Sequence, residues 1–137
     1  MILVDTGPLV ALFNPKDHYH VRCRSILQSL REPLLTTVPV LTEAFHLLTP
    51  GSKGSLALGD FVKQHGLAVW HFDDDALKTA LSLMEKYADK PMDLADASLV
   101  TAAQHLGAYR VFTIDRNDFF TYRIAIGHEF KSFELIG

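Results

Sequence analysis

The sequence predicts an α/β sandwich with a mainly parallel central sheet flanked by helices. Three observations carry this expectation. Ile2-Leu3-Val4 and Val111-Phe112-Thr113-Ile114 are short apolar runs without alternation, the pattern of strands buried on both faces. Between such runs lie stretches with apolar residues at i, i+3, i+4 and i+7, so strands and helices alternate along the chain. The chain has 137 residues, 48% hydrophobic and 21% charged, which suits one globular domain over residues 1–137 and excludes a disordered chain.

The elements follow in order. Ile2-Leu3-Val4 is the first strand and runs into Asp5-Thr6-Gly7-Pro8. Pro8 suits the first position of a helix over 8–13, because its missing N–H is unpaired there in any case. Asn14-Pro15 ends that helix, and Asp17 is expected to cap the next, to about Arg31, with Val21, Ile26, Leu27 and Leu30 as its apolar stripe. Pro33 precedes a strand, Leu34-Leu35-Thr36-Thr37. A helix to Leu48 follows, with Leu41, Ala44, Phe45 and Leu48 on one face. The segment 50–54 reads as a turn and 55–65 as a helix ended by Gly66. Leu67 to Phe72 reads as a strand and Asp73 to Ala88 as a helix with Leu77, Ala80, Leu81, Met84 and Tyr87 inward. Asp93 to Leu106 is a further helix, closed by Gly107. Arg110 to Ile114 is a strand, and 122–126 and 133–136 are short terminal strands.

Thirteen basic and sixteen acidic residues give a net charge of −3, so wholesale electrostatic attachment to nucleic acid or to anionic membrane is not expected. The single cysteine, Cys23, permits no intrachain disulfide and fits a reducing compartment. The amino terminus reaches Asp5 without a basic segment, unlike a secretory signal, and no apolar run approaches a membrane span, so a soluble, cytoplasmic protein is expected. His18, His20 and Cys23 match no zinc-ligand spacing. Asp73-Asp74-Asp75 suits a helix start, where negative charge favours the macrodipole.

Four carboxylates need a chemical explanation. Asp96 shares its helical stripe with Leu99, Val100 and Ala103, and therefore faces the core. A charge there must be paired, metal-bound or neutralised by a raised pKa. Asp93 lies one turn earlier and suits an N-cap. Glu43 sits at the edge of the Val40, Ala44, Leu47 face, where an ordinary boundary glutamate is the plainer reading. Asp5 and Asp115 follow strands, and in open α/β sheets ligands bind outside the carboxyl ends of the strands. If these acids converge, they repel one another, and a hard divalent cation such as Mg²⁺ or Mn²⁺ relieves the repulsion. Thr6 and Thr113 stand beside them as hydroxyl donors, with local bonding to the backbone as their alternative role.

The segments Leu3 to Leu12, Val40-Leu41-Thr42-Glu43, Asp93-Leu94-Ala95-Asp96-Ala97 and Phe112 to Phe119, in this order and spacing, resemble the PIN domain, and within it the toxin ribonucleases of VapBC-type toxin–antitoxin pairs. The resemblance spans almost the whole chain. It implies a PIN-like three-layer sandwich, Mg²⁺- or Mn²⁺-dependent endoribonuclease activity, homodimerisation and, for a toxin, inhibition by an antitoxin protein. By position it makes Asp5, Glu43, Asp96 and Asp115 the four catalytic and metal-binding acids. Asp93 and Asp118 match extra acids of parts of the family, and Thr6 and Thr113 match the hydroxyl neighbours. Gly7-Pro8 resembles a branch whose members are often called only PIN-domain proteins.

The implied chemistry is metal-assisted hydrolysis of RNA, with Asp5 and Asp96 on one cation and Glu43 and Asp115 in its outer shell or at a second site. Arg110, Arg116 and Arg123 lie near the fourth acid in sequence and are candidates for phosphate contacts, solvated surface charge being the alternative. Phe13, Leu56, Leu58 and Phe61 fall outside the clearest core stripes and are candidates for a dimer interface or for burial within one chain. The residues admit two other readings. Asp5-Thr6-Gly7 is also the signature of aspartic proteases, but their nearly all-β fold conflicts with the helical half of this chain. A PIN-fold RNA-binding or interaction module without catalysis, and without a toxin role, differs by the absence of metal-dependent RNA cleavage.

Overall fold

The computed structural model describes all 137 residues. The elements are β1 (Ile2–Val4), α1 (Thr6–Phe13), α2 (His20–Ser29), β2 (Leu34–Thr37), α3 (Val38–Leu48), α4 (Lys53–Lys63), β3 (Ala68–Trp70), α5 (Asp74–Lys86), α6 (Leu94–Leu106), β4 (Arg110–Phe112), α7 (Arg116–Thr121), β5 (Arg123–Ile126), β6 (Glu129–Ser132) and β7 (Glu134–Ile136). Five strands form a central sheet in the order β3-β2-β1-β4-β7, and every pairing in it is parallel. β5 and β6 make a separate antiparallel hairpin. Seven helices flank the sheet.

The topology fixes where a site can form. From β1 the chain steps outward through β2 to β3, then returns to place β4 on the other side of β1. The strand order reverses at β1 and β4, and loops leave their carboxyl ends in opposite directions, opening a crevice there. Leu3 pairs with Val111 and Val4 with Phe112, so Asp5 and Thr113 emerge side by side at that edge.

Ile2, Leu3, Val4, Val111 and Phe112 are fully buried, as a strand covered on both faces requires. α6 is the central helix. Residues Ala97 to Ala103 are all buried, and it packs against α5, α3, β2 and β5. Its alanines and Ser98 allow approach from several sides at once. Asp93 caps it, accepting a hydrogen bond from Asp96 N at 2.8 Å, and Gly107 ends it in the left-handed region at φ 67°. α1 packs against α2, α3 and α4. This helical, parallel architecture excludes the aspartic-protease reading of Asp5-Thr6-Gly7.

Several local expectations are corrected. α1 starts at Thr6, so Pro8 is its third residue, still among the N–H groups that lack an intrahelical partner. Asp17 does not cap α2; its Oδ1 accepts from Tyr19 N at 2.8 Å in a turn, and α2 begins at His20. α2 buries only Cys23, while Val21 is 79% exposed, because the helix touches the body along one narrow line. α4 starts two residues early, with Ser52 rather than a turn residue as its cap. The left-handed residue after it is His65, not Gly66; Gly66 is needed because a Cβ there would run into the Phe61 ring. In α5 the buried residues are Ala80 and Leu83, and Leu81 points to solvent. β3 and β4 are shorter than predicted, and α7 and β6 have no counterpart in the sequence reading.

The four apolar interface candidates divide. Leu58 is fully buried within the chain, and Phe13 and Phe61 pack on the core and on each other with ring centroids 5.5 Å apart. These three are accounted for by the fold of a single chain. Leu56 alone projects outward, 64% exposed.

Candidate functional site

A cleft of about 460 Å³ opens at the carboxyl edge of the sheet. Seven of its thirteen lining residues are carboxylates, Asp5, Asp17, Glu43, Asp93, Asp96, Asp115 and Asp118, and none is a Lys, Arg or His. Each has a local reason to be there. Asp5 leaves β1 and its backbone N–H bonds Phe112 O at 2.9 Å. Glu43 projects from the middle of α3, half-buried. Asp93 is the N-cap of α6, and Asp96 lies in its first turn. Asp115 caps α7, where its Oδ1 accepts from Asp118 N at 3.4 Å. All six acids singled out from the sequence therefore line one cleft, and Asp17 joins them. Asp17 was missed because its spacing reads as a helix cap.

Thr113 links two of these acids. Its hydroxyl donates to Asp5 Oδ2 at 2.9 Å and accepts from Asp115 N at 2.9 Å. Thr6, also in the cleft wall, has a buried Oγ1 with no hydrogen-bond partner. Asp96 Oδ2 accepts from the Tyr122 hydroxyl at 2.8 Å. Tyr122 follows α7 and carried no signal in the sequence, because it reaches Asp96 across 26 residues of chain.

The electrostatics are those of crowded acids. Burial raises the Asp5 carboxyl to about 6, with Asp115 and Glu43 adding repulsion against the Thr6 and Thr113 hydrogen bonds that lower it. Burial, then Asp5, then Asp93 push Asp96 up to about 8, against the hydrogen bond from Tyr122. Asp118 is raised by burial and by Asp115, with Lys90 at the rim acting in the opposite sense. Burial, the Asp96 charge and the bond to it raise the Tyr122 phenol far above its ordinary value.

The donor set fits a hard divalent cation. Two buried or half-buried acids face a cleft lined by no cation, and the unpartnered Thr6 hydroxyl lies beside them. No group of three or more acidic, histidine or cysteine side chains is drawn together closely enough to hold a metal ion among themselves. Mg²⁺ needs none, since it keeps several waters and takes one or two carboxylates.

The arginines lie elsewhere or are engaged. Arg110 opens β4 and so lies at the opposite edge of the sheet from the cleft, paired with Glu32 and, at 3.5 Å, with Glu134. It is not placed to meet a phosphate at Asp5. Arg123 turns its Nη1 onto the carbonyls of Phe120, Thr121 and Tyr122 at 2.7–3.1 Å, closing the end of α7. Arg116 stands next to Asp115, exposed, with Nη1 donating to Gly137 O at 3.1 Å. Lys90 is the cation that the sequence reading overlooked; its Nζ donates to Thr121 Oγ1 at 3.3 Å.

Solved structures share this fold. Mycobacterium tuberculosis VapC20, a sarcin–ricin loop cleaving toxin, superposes with a TM-score of 0.78 at 21% identity, over 85% of this chain and 92% of that one. A toxin–antitoxin complex from Klebsiella pneumoniae gives 0.67 at 16% identity, over 88% and 92%. FitAcB from Neisseria gonorrhoeae gives 0.62 at 22% identity, over 88% and 91%. No curated protein matches the sequence. The family model described as the PIN domain matches residues 2–125, from the first strand into the terminal hairpin, and the chain accordingly belongs to the PIN domain family.

Proposed function

We propose that this chain, acting as one nuclease domain, is an endoribonuclease that hydrolyses RNA phosphodiester bonds with Mg²⁺ or Mn²⁺ and serves as the toxin of a type II toxin–antitoxin pair. The observation that supports it most is the pairing of buried Asp5 with half-buried Asp96 in a cleft lined by seven acids and no base. Asp5 and Asp96 would hold the cation, with Glu43 and Asp115 in its outer shell or at a second site and Asp93 close by. The cation, when bound, lowers the pKa of water and offsets charge on the phosphoryl oxygens. Thr113 fixes Asp5 through its hydroxyl, and its bond from Asp115 N ties α7 to the same point. Thr6 Oγ1 supplies a free hydroxyl at the wall of the cleft. An acidic cleft repels RNA, so cations must draw the backbone in. Arg116 and Lys90, beside Asp115 and near Asp118, take that role here.

The toxin assignment leans on likeness of fold to the VapC20 toxin and to the Klebsiella toxin–antitoxin complex. A homodimer in solution and an antitoxin partner in the cytoplasm belong to the same proposal. No helix is long and apolar enough to cross a membrane.

The test is cleavage of structured RNA by the purified protein. Cleavage should require Mg²⁺ or Mn²⁺, stop with chelator, and be lost in Asp5→Asn and Asp96→Asn while circular dichroism stays that of the wild type. Undiminished cleavage by either variant rejects the reading. Light scattering at micromolar concentration tests the dimer, and a monomer mass with full activity counts against it.

A further inference from the structure

Asp96 lies at the first turn of α6 with its two oxygens in different surroundings. Oδ2 accepts the Tyr122 hydroxyl at 2.8 Å, and no protein donor reaches Oδ1. The phenol is held on all sides. Tyr122 is 1% exposed, its ring meets those of Tyr87 and Phe119 edge-on with centroids at 5.2 Å, and Phe119 meets Phe133 in the same way at 5.5 Å. Its backbone N–H bonds Asp118 O at 3.1 Å, which anchors it to the end of α7.

The choice of donor matters. An Arg or Lys on Asp96 would neutralise the carboxylate and compete with a cation for it. A phenol orients the carboxyl group without setting a positive charge beside it. The phenol carries one O–H, and at 2.8 Å it donates that hydrogen to Asp96 Oδ2. The segment that carries Tyr122 also carries Asp115 and Asp118, so one rigid piece of chain, residues 115–122, sets two cleft acids and the orientation of a third.

Resting on the reading of the cleft as a divalent-cation site, we propose that Tyr122 is a positioning residue whose hydroxyl clamps Asp96 Oδ2 and so presents Oδ1 to the cation. Hydrogen bonds to ligating carboxylates tune metal affinity by about 10–100-fold when removed. The Tyr122→Phe variant deletes the hydroxyl and keeps the ring with its packing.

The experiment is calorimetric titration of the wild type, Tyr122→Phe and Tyr87→Phe with Mn²⁺, with folding checked by circular dichroism and melting temperature. Tyr87→Phe removes a hydroxyl from the same aromatic cluster, the one that accepts from Arg123 N at 3.1 Å, and leaves the Tyr122–Asp96 bond intact. Tyr122→Phe should bind Mn²⁺ about 10–100-fold more weakly, and Tyr87→Phe should bind it as the wild type does, whatever either does to the melting temperature. Adding Tyr122→Phe to an Asp96→Asn background should weaken Mn²⁺ binding no further. Mn²⁺ affinity within about twofold of the wild type in Tyr122→Phe, against the loss expected for such bonds, overturns the positioning role and leaves the cation site standing. Equal weakening by Tyr87→Phe also overturns it, since packing would then be the cause. A wild type that takes up no Mn²⁺ overturns both.

Discussion

Replacing Asp5 by Asn should stabilise the cation-free protein at alkaline pH and not at acid pH. The Asp5 carboxyl has a pKa of about 6 in the fold against an ordinary value of 3.8. Below pH 3.8 the folded and unfolded forms both hold the proton, and ionisation does not disfavour the fold. As the pH rises through 3.8 the unfolded chain ionises while the fold keeps its proton, and stability falls until about pH 6, beyond which the deficit is constant. The gap of about 2 pH units corresponds to ~3 kcal/mol at 1.36 kcal/mol per unit. Asn cannot ionise, and its Oδ1 still accepts from Thr113; its NH₂ needs new partners, which removes roughly 1 kcal/mol of the gain. The net of about 2 kcal/mol raises the melting temperature by about 6–10 °C for a chain of this size. Thermal melts in metal-free buffer at pH 4 and pH 8 measure it directly. An Asn variant no more stable than the wild type at pH 8, or equally advantaged at both pH values, would refute the reasoning.

Four further outcomes are expected. Mn²⁺ at a hundredfold over its dissociation constant should stabilise the wild type at pH 8 by about 2.7 kcal/mol, and melts of Asp5→Asn should show none of this gain. Leu58→Ala should lower stability by about 2–5 kcal/mol in denaturant titration, because the side chain is fully buried. Leu56→Ala should change stability by less than about 0.5 kcal/mol and shift the mass in light scattering only if that face joins two copies. Lys90→Ala or Arg116→Ala should weaken RNA binding and flatten its salt dependence by about one phosphate contact, whereas Arg110→Ala should leave RNA binding unchanged in the same filter assay.

The sheet was legible because buried parallel strands leave continuous apolar runs, and Ile2-Leu3-Val4 is nearly unambiguous. The acids at the cleft were legible for a related reason. A carboxylate at a strand end, or on an apolar helical stripe as with Asp96, conflicts with its surroundings unless something accounts for it. Arg110 shows where this reasoning stops. It stands five residues before Asp115, but it opens β4 whereas Asp115 lies beyond that strand's carboxyl end, so the strand carries it towards the other edge of the sheet. Proximity in sequence argued for the cleft, and strand direction argued against it. Tyr122 and Lys90 left no trace because their partners lie in other elements and no periodicity connects them. The start of α2 was misplaced because Asp17 has the character of a helix cap, whereas its Oδ1 accepts from Tyr19 N in a turn that precedes the helix.

The sheet order bears on how the chain is made as well as on what it holds. β1 precedes β2 to β7 in the chain, yet one of its two neighbours is β4, and the bond from Thr113 to Asp5 spans 108 residues. Pairings so distant in sequence close slowly and late. On a ribosome, β1 and β2 can meet early, while the other flank of β1 and the cleft stay incomplete until residues 110–122 emerge. Until then Asp5 lacks its threonine, Asp96 lacks its phenol, and two cleft acids, Asp115 and Asp118, have not yet been made. A nascent chain that has not yet reached Tyr122 thus carries no assembled cleft.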